Sequence, residues 1–293
     1  MHRFTHGRLS VAYRESGSGP AILMLHNGGT SSTIWRNQLD ALSDRRHAVA
    51  LDLPGFGESP RVTPPPDLRE MVELVAAFIE AHGLAPVMLV GNCMGSNIAA
   101  GVATADPDRV AAMLLVNPLT EATFSSGGLG VFHRMGKVAA RPTRLLRSAV
   151  RRLPMVRPAA VEAVRFQLGD RGRAADLHHD PELVACATRA DQLPALIDVL
   201  DDMGAYGTRD IEEVPPGVPT RIVWGAQNRV LSRRKGTHLG QLVHAERTDV
   251  LAGCGHLPML EDPEALTALI VELAEAAGHT PLNQAGVSSG RQR

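Results

Sequence analysis

The sequence predicts an α/β fold, a mostly parallel sheet with helices on both faces. Three observations carry that prediction. Short apolar runs alternate with segments whose apolar residues recur at helical spacing. The runs end in Gly, Asn or Pro, at the edge where open α/β sheets keep their ligand crevice. Finally, 44% hydrophobic and 21% charged residues over 293 positions is ordinary globular usage, with material for a sizeable core.

The elements follow in chain order. Ala21-Ile22-Leu23-Met24-Leu25 is unbroken apolar sequence, as a strand buried on both faces requires, and stops at His26-Asn27-Gly28-Gly29. Ala48–Leu53 is the next run, closed by Pro54-Gly55-Phe56-Gly57. Asp67 followed by Glu70 forms a capping-box pattern, and Leu68, Met71, Val72, Val75, Phe78 and Ile79 make one stripe of the helix behind it. Val87–Val90 leads into Gly91-Asn92-Cys93-Met94-Gly95 and a helix carrying Ile98, Ala99, Val102 and Ala103. Met113–Val116 ends at Asn117-Pro118, Arg221–Trp224 at Gly225, and Thr248–Leu251 near Gly253. Asp262 and Pro263 then open a helix buried through Leu266, Leu269, Ile270 and Leu273. Residues 119–207 hold helical patterns and no convincing strand. The expected organisation is therefore a core of residues 1–118 and 208–277, a helical insertion over 119–207, and a disordered polar tail over 278–293.

Charge and cysteine usage exclude several classes. Thirty basic against 31 acidic residues leave a net charge of -1, unlike the strongly basic domain expected of a nucleic-acid binder. Gly, Pro or charge interrupts each apolar run before the roughly 18 residues of a membrane helix. Met1-His2-Arg3-Phe4-Thr5-His6 has no apolar core of a signal peptide. Cys93, Cys186 and Cys254 are an odd, irregularly spaced set, which predicts free thiols in a reducing cytoplasm, with Cys186 and Cys254 as packing residues. Only Lys137 and Lys235 are lysines, a bias expected of a GC-rich genome. Between Arg134 and Arg173 eleven basic residues face two acids, Glu162 and Asp170, a local charge of +9 (11 − 2). Arg134, Lys137, Arg141 and Arg144 recur at helical spacing. They read as the solvated face of an amphipathic helix. The other reading is a docking surface for an anion: coenzyme A phosphates, an acyl carrier protein or an acidic membrane.

The strongest chemical signal is Gly91-Asn92-Cys93-Met94-Gly95 between a strand and a helix. A Gly-x-nucleophile-x-Gly turn there is a nucleophile elbow. Glycine two positions either side relieves the crowding of so tight a bend, and the central side chain stands above the sheet. The helix N-terminus is expected to favour the Cys93 thiolate. The blander reading is a small buried cysteine in a glycine-rich turn. Gly253-Cys254-Gly255-His256 follows the last strand, which puts His256 on the same edge as Cys93 and makes it the expected base. His178-His179-Asp180 is discounted as a metal site because adjacent histidines are expected to diverge.

Together, His26-Asn27-Gly28-Gly29, Asp52–Ser59, Gly91–Gly95, Trp224-Gly225 and Gly255-His256 resemble the α/β-hydrolase superfamily over about residues 8–277. The resemblance implies the α/β-hydrolase fold, an eight-stranded, mostly parallel sheet with a helical lid inserted after strand six. It implies carboxylesterase, carbon–carbon bond hydrolase or acyltransferase chemistry. Two departures stand out. The elbow residue, usually serine, is Cys93, as in dienelactone hydrolases and polyhydroxyalkanoate synthases; aspartate there would have suggested an epoxide hydrolase or haloalkane dehalogenase. The aspartate expected three residues after Trp224-Gly225 is Asn228.

The two changes are chemically compatible. A thiolate paired with imidazolium needs only one hydrogen-bond acceptor to orient the ring, and the Asn228 side-chain oxygen can be that acceptor. Cys93, His256 and Asn228 would then form a Cys–His–Asn triad, the set used by papain-like proteases. The competing orienter is Glu121, just after strand six. The resemblance further implies an oxyanion hole from the backbone N–H groups of Met94 and Gly28, with Asn27 standing where the family has glycine. The expected activity is hydrolysis or transfer of an ester, lactone or thioester acyl group through an acyl-cysteine, on a small-molecule substrate and without a cofactor. The other expectation is a non-acylating isomerase, cyclase or ligand-binding pseudoenzyme on the same scaffold.

Overall fold

The computed structural model describes residues 1–128, 130, 154–206, 214 and 217–278. Eight strands form one sheet: β1 (His2–His6), β2 (Leu9–Ser16), β3 (Ala21–Leu25), β4 (His47–Asp52), β5 (Val87–Asn92), β6 (Val110–Val116), β7 (Thr220–Gly225) and β8 (Arg247–Leu251). Their spatial order is β1-β2-β4-β3-β5-β6-β7-β8. β1 and β2, and β2 and β4, pair antiparallel; the other neighbours pair parallel.

All six apolar runs are strands. Of the two extra ones, β1 at the sheet edge is mostly exposed and β2 beside it mixes polar with apolar residues, so no long apolar run marks them. A two-residue turn joins them, with Gly7 at φ 55° supplying the left-handed backbone. β6 starts at Val110, three residues before the predicted run.

Both faces of the sheet are covered. Leu23, Leu25, Val49, Leu51 and Leu89 point into one apolar layer, filled by α2 (Leu68–Ala81) and α3 (Met94–Ala105). Their neighbours Ile22, Met24, Ala48, Ala50 and Met88 point into the other, which α1 (Arg36–Leu42) and two later helices close. This period-two division explains why the central strands read as continuous hydrophobic sequence. The capping box of α2 is formed: Asp67 Oδ1 accepts from the Glu70 N–H at 2.8 Å, and Glu70 Oε2 from the Asp67 N–H at 3.3 Å. Asp262 likewise caps the last helix, Pro263–Ala276.

Between β6 and β7 the described residues contain helices and no strand: Glu121–Ser125, Arg157–Gln167, Asp170–Ala174, Pro181–Ala187 and Gln192–Asp201. Among the described residues four ion pairs fasten this segment to the rest, Arg171 with Asp262 at 3.4 Å being one of them. Arg36 meets Asp180 at 2.6 Å, Arg61 meets Asp198 at 2.7 Å and Arg189 meets Glu58 at 2.7 Å. Arg134, Lys137, Arg141 and Arg144 lie outside the described residues, as does the tail beyond Gly278. Of the basic segment's described members, Arg165, Arg171 and Arg173 pair with Glu162, Asp262 and Asp170. No helix among the described residues is long and apolar enough to cross a membrane.

Candidate active site

The turn after β5 is a strained bend. Cys93 has φ 54° and ψ −111°, a conformation that L side chains rarely adopt, and it immediately precedes α3. A methyl group on Gly91 would collide with the Gly95 carbonyl, and one on Gly95 with the carbonyl of Leu25 on β3. The glycines of the motif are therefore fixed by close backbone approach. Hydrogen bonds hold the bend: Cys93 N–H donates to the Val116 carbonyl at 2.9 Å, and Ser96 Oγ donates to the Gly91 carbonyl at 2.9 Å.

His256 arrives on the loop after β8. Its N–H donates to the Gln167 carbonyl at 2.6 Å. Its carbonyl accepts from Asn92 Nδ2 at 3.1 Å and Asn117 Nδ2 at 3.3 Å. Gly255 has no space for a side chain, because the backbone of Gln167–Gly169 lies against it. Glu261, buried behind this loop, accepts from the N–H groups of Gly255 (2.8 Å), Leu257 (3.2 Å) and Gly169 (2.6 Å). One carboxylate thus clamps both sides of His256 and the inserted segment together.

Cys93, His256, Gly28 and Met94 line a single cavity of about 250 Å3. The rest of its wall is mainly apolar, including Leu119, Phe124, Phe166, Leu196, Met203 and Val230. Its other polar members are Asn27, Gln167 and Gln192, and no Asp, Glu, Lys or Arg lines it among the described residues.

This environment overturns the expected thiolate–imidazolium pair. Burial pushes the Cys93 thiol up to about 12, although the Met94 N–H pulls in the opposite direction. Burial also lowers His256 to about 3. A wall with no charged side chain among the described residues favours the uncharged thiol and imidazole over the ion pair. The single N–H at the head of α3 does not offset that desolvation.

Asn228 meets the ring, at 3.1 Å from Nδ1, but with its amide nitrogen. Its oxygen accepts instead from the N–H groups of Val230 at 3.0 Å and Leu231 at 3.1 Å. The expectation that this oxygen would orient the imidazole is corrected: two backbone donors already claim it. Glu121 stands in the first turn of the helix after β6.

The residue reading missed a chain of buried amides beneath the site. Asn92 Nδ2 donates to Asn27 Oδ1 at 3.1 Å, Asn117 Nδ2 donates to Asn92 Oδ1 at 3.3 Å, and Asn117 Oδ1 accepts from the Gly225 N–H at 3.0 Å. Asn27 Nδ2 also reaches the Gln167 side chain at 3.2 Å. A signal existed: an asparagine at the carboxyl end of three strands that prove to be neighbours. Glu261 gave none, since nothing local distinguishes it from a solvated helix residue.

Adjacent histidines His178 and His179 do not diverge. They sit on a short helical turn with ring centroids 4.3 Å apart, after Asp176 in left-handed conformation. His179 Nδ1 is 2.8 Å from Asp176 Oδ1 and His178 Nε2 is 3.5 Å from it, a grouping whose atoms lie close enough for a metal ion to bridge. Asp180 is engaged elsewhere, with Arg36. Cys186 and Cys254 are buried and free, and burial pushes them up to about 11 and about 12.

The family model described as "Alpha/beta hydrolase family" matches residues 22–269. The chain belongs to the alpha/beta hydrolase family. Among its relatives is an uncharacterized protein of Mycobacterium tuberculosis, 26% identical over 97% of this chain and 84% of that one. Another is the dihydrolipoyllysine-residue acetyltransferase component of the acetoin cleaving system of Cupriavidus necator, 26% identical over 88% of this chain and 64% of that protein. Of solved structures, a thermophilic esterase from Thermogutta terrifontis superposes with a TM-score of 0.77 at 20% identity, covering 94% of this chain and 99% of that one. This alpha/beta hydrolase therefore shares its fold with hydrolytic enzymes.

Proposed function

We propose that this hydrolase cleaves or transfers uncharged, apolar acyl groups from esters, lactones or thioesters, with Cys93 carrying the acyl group. The observation that carries the reading is the placement of Cys93. It sits on a strained bend that opens, together with His256, into one apolar cavity. An uncharged wall suits an aliphatic or aromatic acyl chain and rejects a carboxylate-bearing one, whose burial without a partner costs several kcal/mol.

The steps balance with the groups present. Cys93 Sγ bonds to the carbonyl carbon while its proton passes to His256 Nε2, in the ring tautomer whose own proton sits on Nδ1. The oxyanion is held by the Met94 and Gly28 N–H groups, both on the cavity wall. Collapse breaks the bond to the leaving group, which takes the proton from His256. Water or another acceptor then loses its proton to His256 and attacks the thioester, releasing the acyl product and returning the thiol. A relative named as an acetyltransferase component and a fold neighbour named as an esterase are compatible with either outcome.

The orientation of the Asn228 amide favours one second reading, in which a neutral His256 donates to a bound carbonyl and no acyl-cysteine forms. Intact mass spectrometry after mixing with p-nitrophenyl esters, lactones and acyl thioesters separates the two. A Cys93-borne acyl adduct that Cys93→Ala abolishes is the expected result. Turnover by Cys93→Ala at the wild-type rate would end the covalent proposal.

A further inference from the structure

We propose that Asn228 is a tautomer lock, holding His256 with its proton on Nε2, so that the ring meets Cys93 as a hydrogen-bond donor rather than as a base. The asparagine is itself held by backbone hydrogen bonds. Its Oδ1 accepts two backbone N–H groups, from Val230 at 3.0 Å and Leu231 at 3.1 Å. Turning the amide over would set an NH2 group against both donors and leave two N–H groups without an acceptor. The orientation is therefore fixed by the backbone, and Nδ2 must face the ring. An amide nitrogen has only protons to offer, so the ring nitrogen 3.1 Å away must be bare. A neutral imidazole with Nδ1 bare carries its proton on Nε2.

This inverts the polarity of a Cys–His–Asn triad. For Nε2 to accept a proton from Cys93, the ring must first carry its own proton on Nδ1, where Nδ1–H would oppose the Asn228 NH2, donor against donor. The clash adds to the burial that already disfavours the imidazolium. Few other groups bear on the pair. Tyr206, with Asp202 and Asp67 behind it, couples to Cys93, and burial alone acts on His256. On the acyl reading, Asn228 is a positioning residue that restrains the nucleophile. The tautomer itself stands apart from that reading.

An aspartate at 228 would reverse the arrangement without disturbing the loop. One carboxylate oxygen would keep the Val230 and Leu231 N–H groups, and the other would accept from Nδ1–H. The test has two arms on the full-length protein. Long-range 15N correlation spectra, with the His256 signals assigned by their loss in His256→Gln, read directly which ring nitrogen is protonated. The wild type is expected to show a protonated Nε2 and a bare Nδ1 at neutral pH, and Asn228→Asp a protonated Nδ1. In parallel, alkylation of Cys93 by iodoacetamide, located by peptide mapping, is followed across pH. Asn228→Asp is expected to speed it at neutral pH by about tenfold or more, the effect of one unit or more from an adjacent opposite charge. Asn228→Ala should be no slower than wild type, because a lock has been removed. A wild-type spectrum with the proton on Nδ1, or an Asn228→Ala protein alkylated markedly more slowly, would overturn the proposal. The spectrum needs no variant at position 228, so misfolding there leaves the proposal falsifiable. Absence of an acyl adduct would count against acyl chemistry alone.

Discussion

Replacing Glu261 by alanine is expected to cost about 3–5 kcal/mol of folding stability, the scale for breaking a buried charged network. The side chain is buried at 7% exposure, and its carboxylate accepts three backbone N–H groups: Gly169, Gly255 and Leu257. Alanine leaves all three donors without an acceptor, at about 1–3 kcal/mol each. Two effects hold the total near the lower end. Water can enter the space, and the wild-type protein already bears the cost of burying the carboxyl, which is why its pKa is raised. Against a total stability on the order of 5–15 kcal/mol, the variant would be marginal. Urea unfolding at neutral pH is the assay, and the midpoint should fall with an unchanged slope. Glu261→Gln keeps an acceptor oxygen and should fall between the two. Because a raised carboxyl pKa means that the fold favours the protonated form, this group's contribution is greatest in acid. It declines as pH rises through the raised value, and Glu261→Gln removes that dependence. A loss below about 1 kcal/mol in Glu261→Ala would refute the clamp.

Other outcomes follow from the same geometry. His256 is held near 3 in the fold against 6.5 ordinarily, so its contribution is present above about 6.5. It should fade as pH drops towards 3, by about 1.4 kcal/mol per unit. Chemical denaturation from pH 7 to 4 should show a flatter profile in His256→Gln, and parallel profiles would contradict the lowered value. Gly95→Ala should lower the melting temperature, at a cost of about 1–3 kcal/mol, and displace Cys93, because its methyl meets the Leu25 carbonyl. Unchanged melting and unchanged Cys93 alkylation would count against that close approach. Leu196 packs over Gly28 and Gly29, where a Cβ would lie 3.2 and 3.5 Å from its methyls. Leu196→Ala should therefore shift kcat/KM towards longer acyl chains in a p-nitrophenyl ester series, and an unaltered ranking would remove Leu196 from the acyl wall.

The amino-acid order alone determined the parallel core. Both faces of β3, β4 and β5 are buried, so their apolar character is continuous along the chain and needs no distant information. The elbow was legible for a related reason: Gly91 and Gly95 answer to a backbone crossing only residues away in the motif, or on the adjacent strand. Asp67 and Asp262 announced their helices through local capping. β1, at the sheet edge and mostly exposed, and β2, whose apolar residues are interrupted by polar ones, were silent because neither presents a long apolar run. What the tertiary structure alone decided is electrical. Whether Cys93 ionises depends on the charge of a wall assembled from widely separated stretches of chain, and that wall carries no charged side chain among the described residues. Whether Asn228 offers oxygen or nitrogen to His256 depends on where the N–H groups of Val230 and Leu231 point. Residue identity fixes which atoms exist; only the folded backbone dictates which of them are already spoken for.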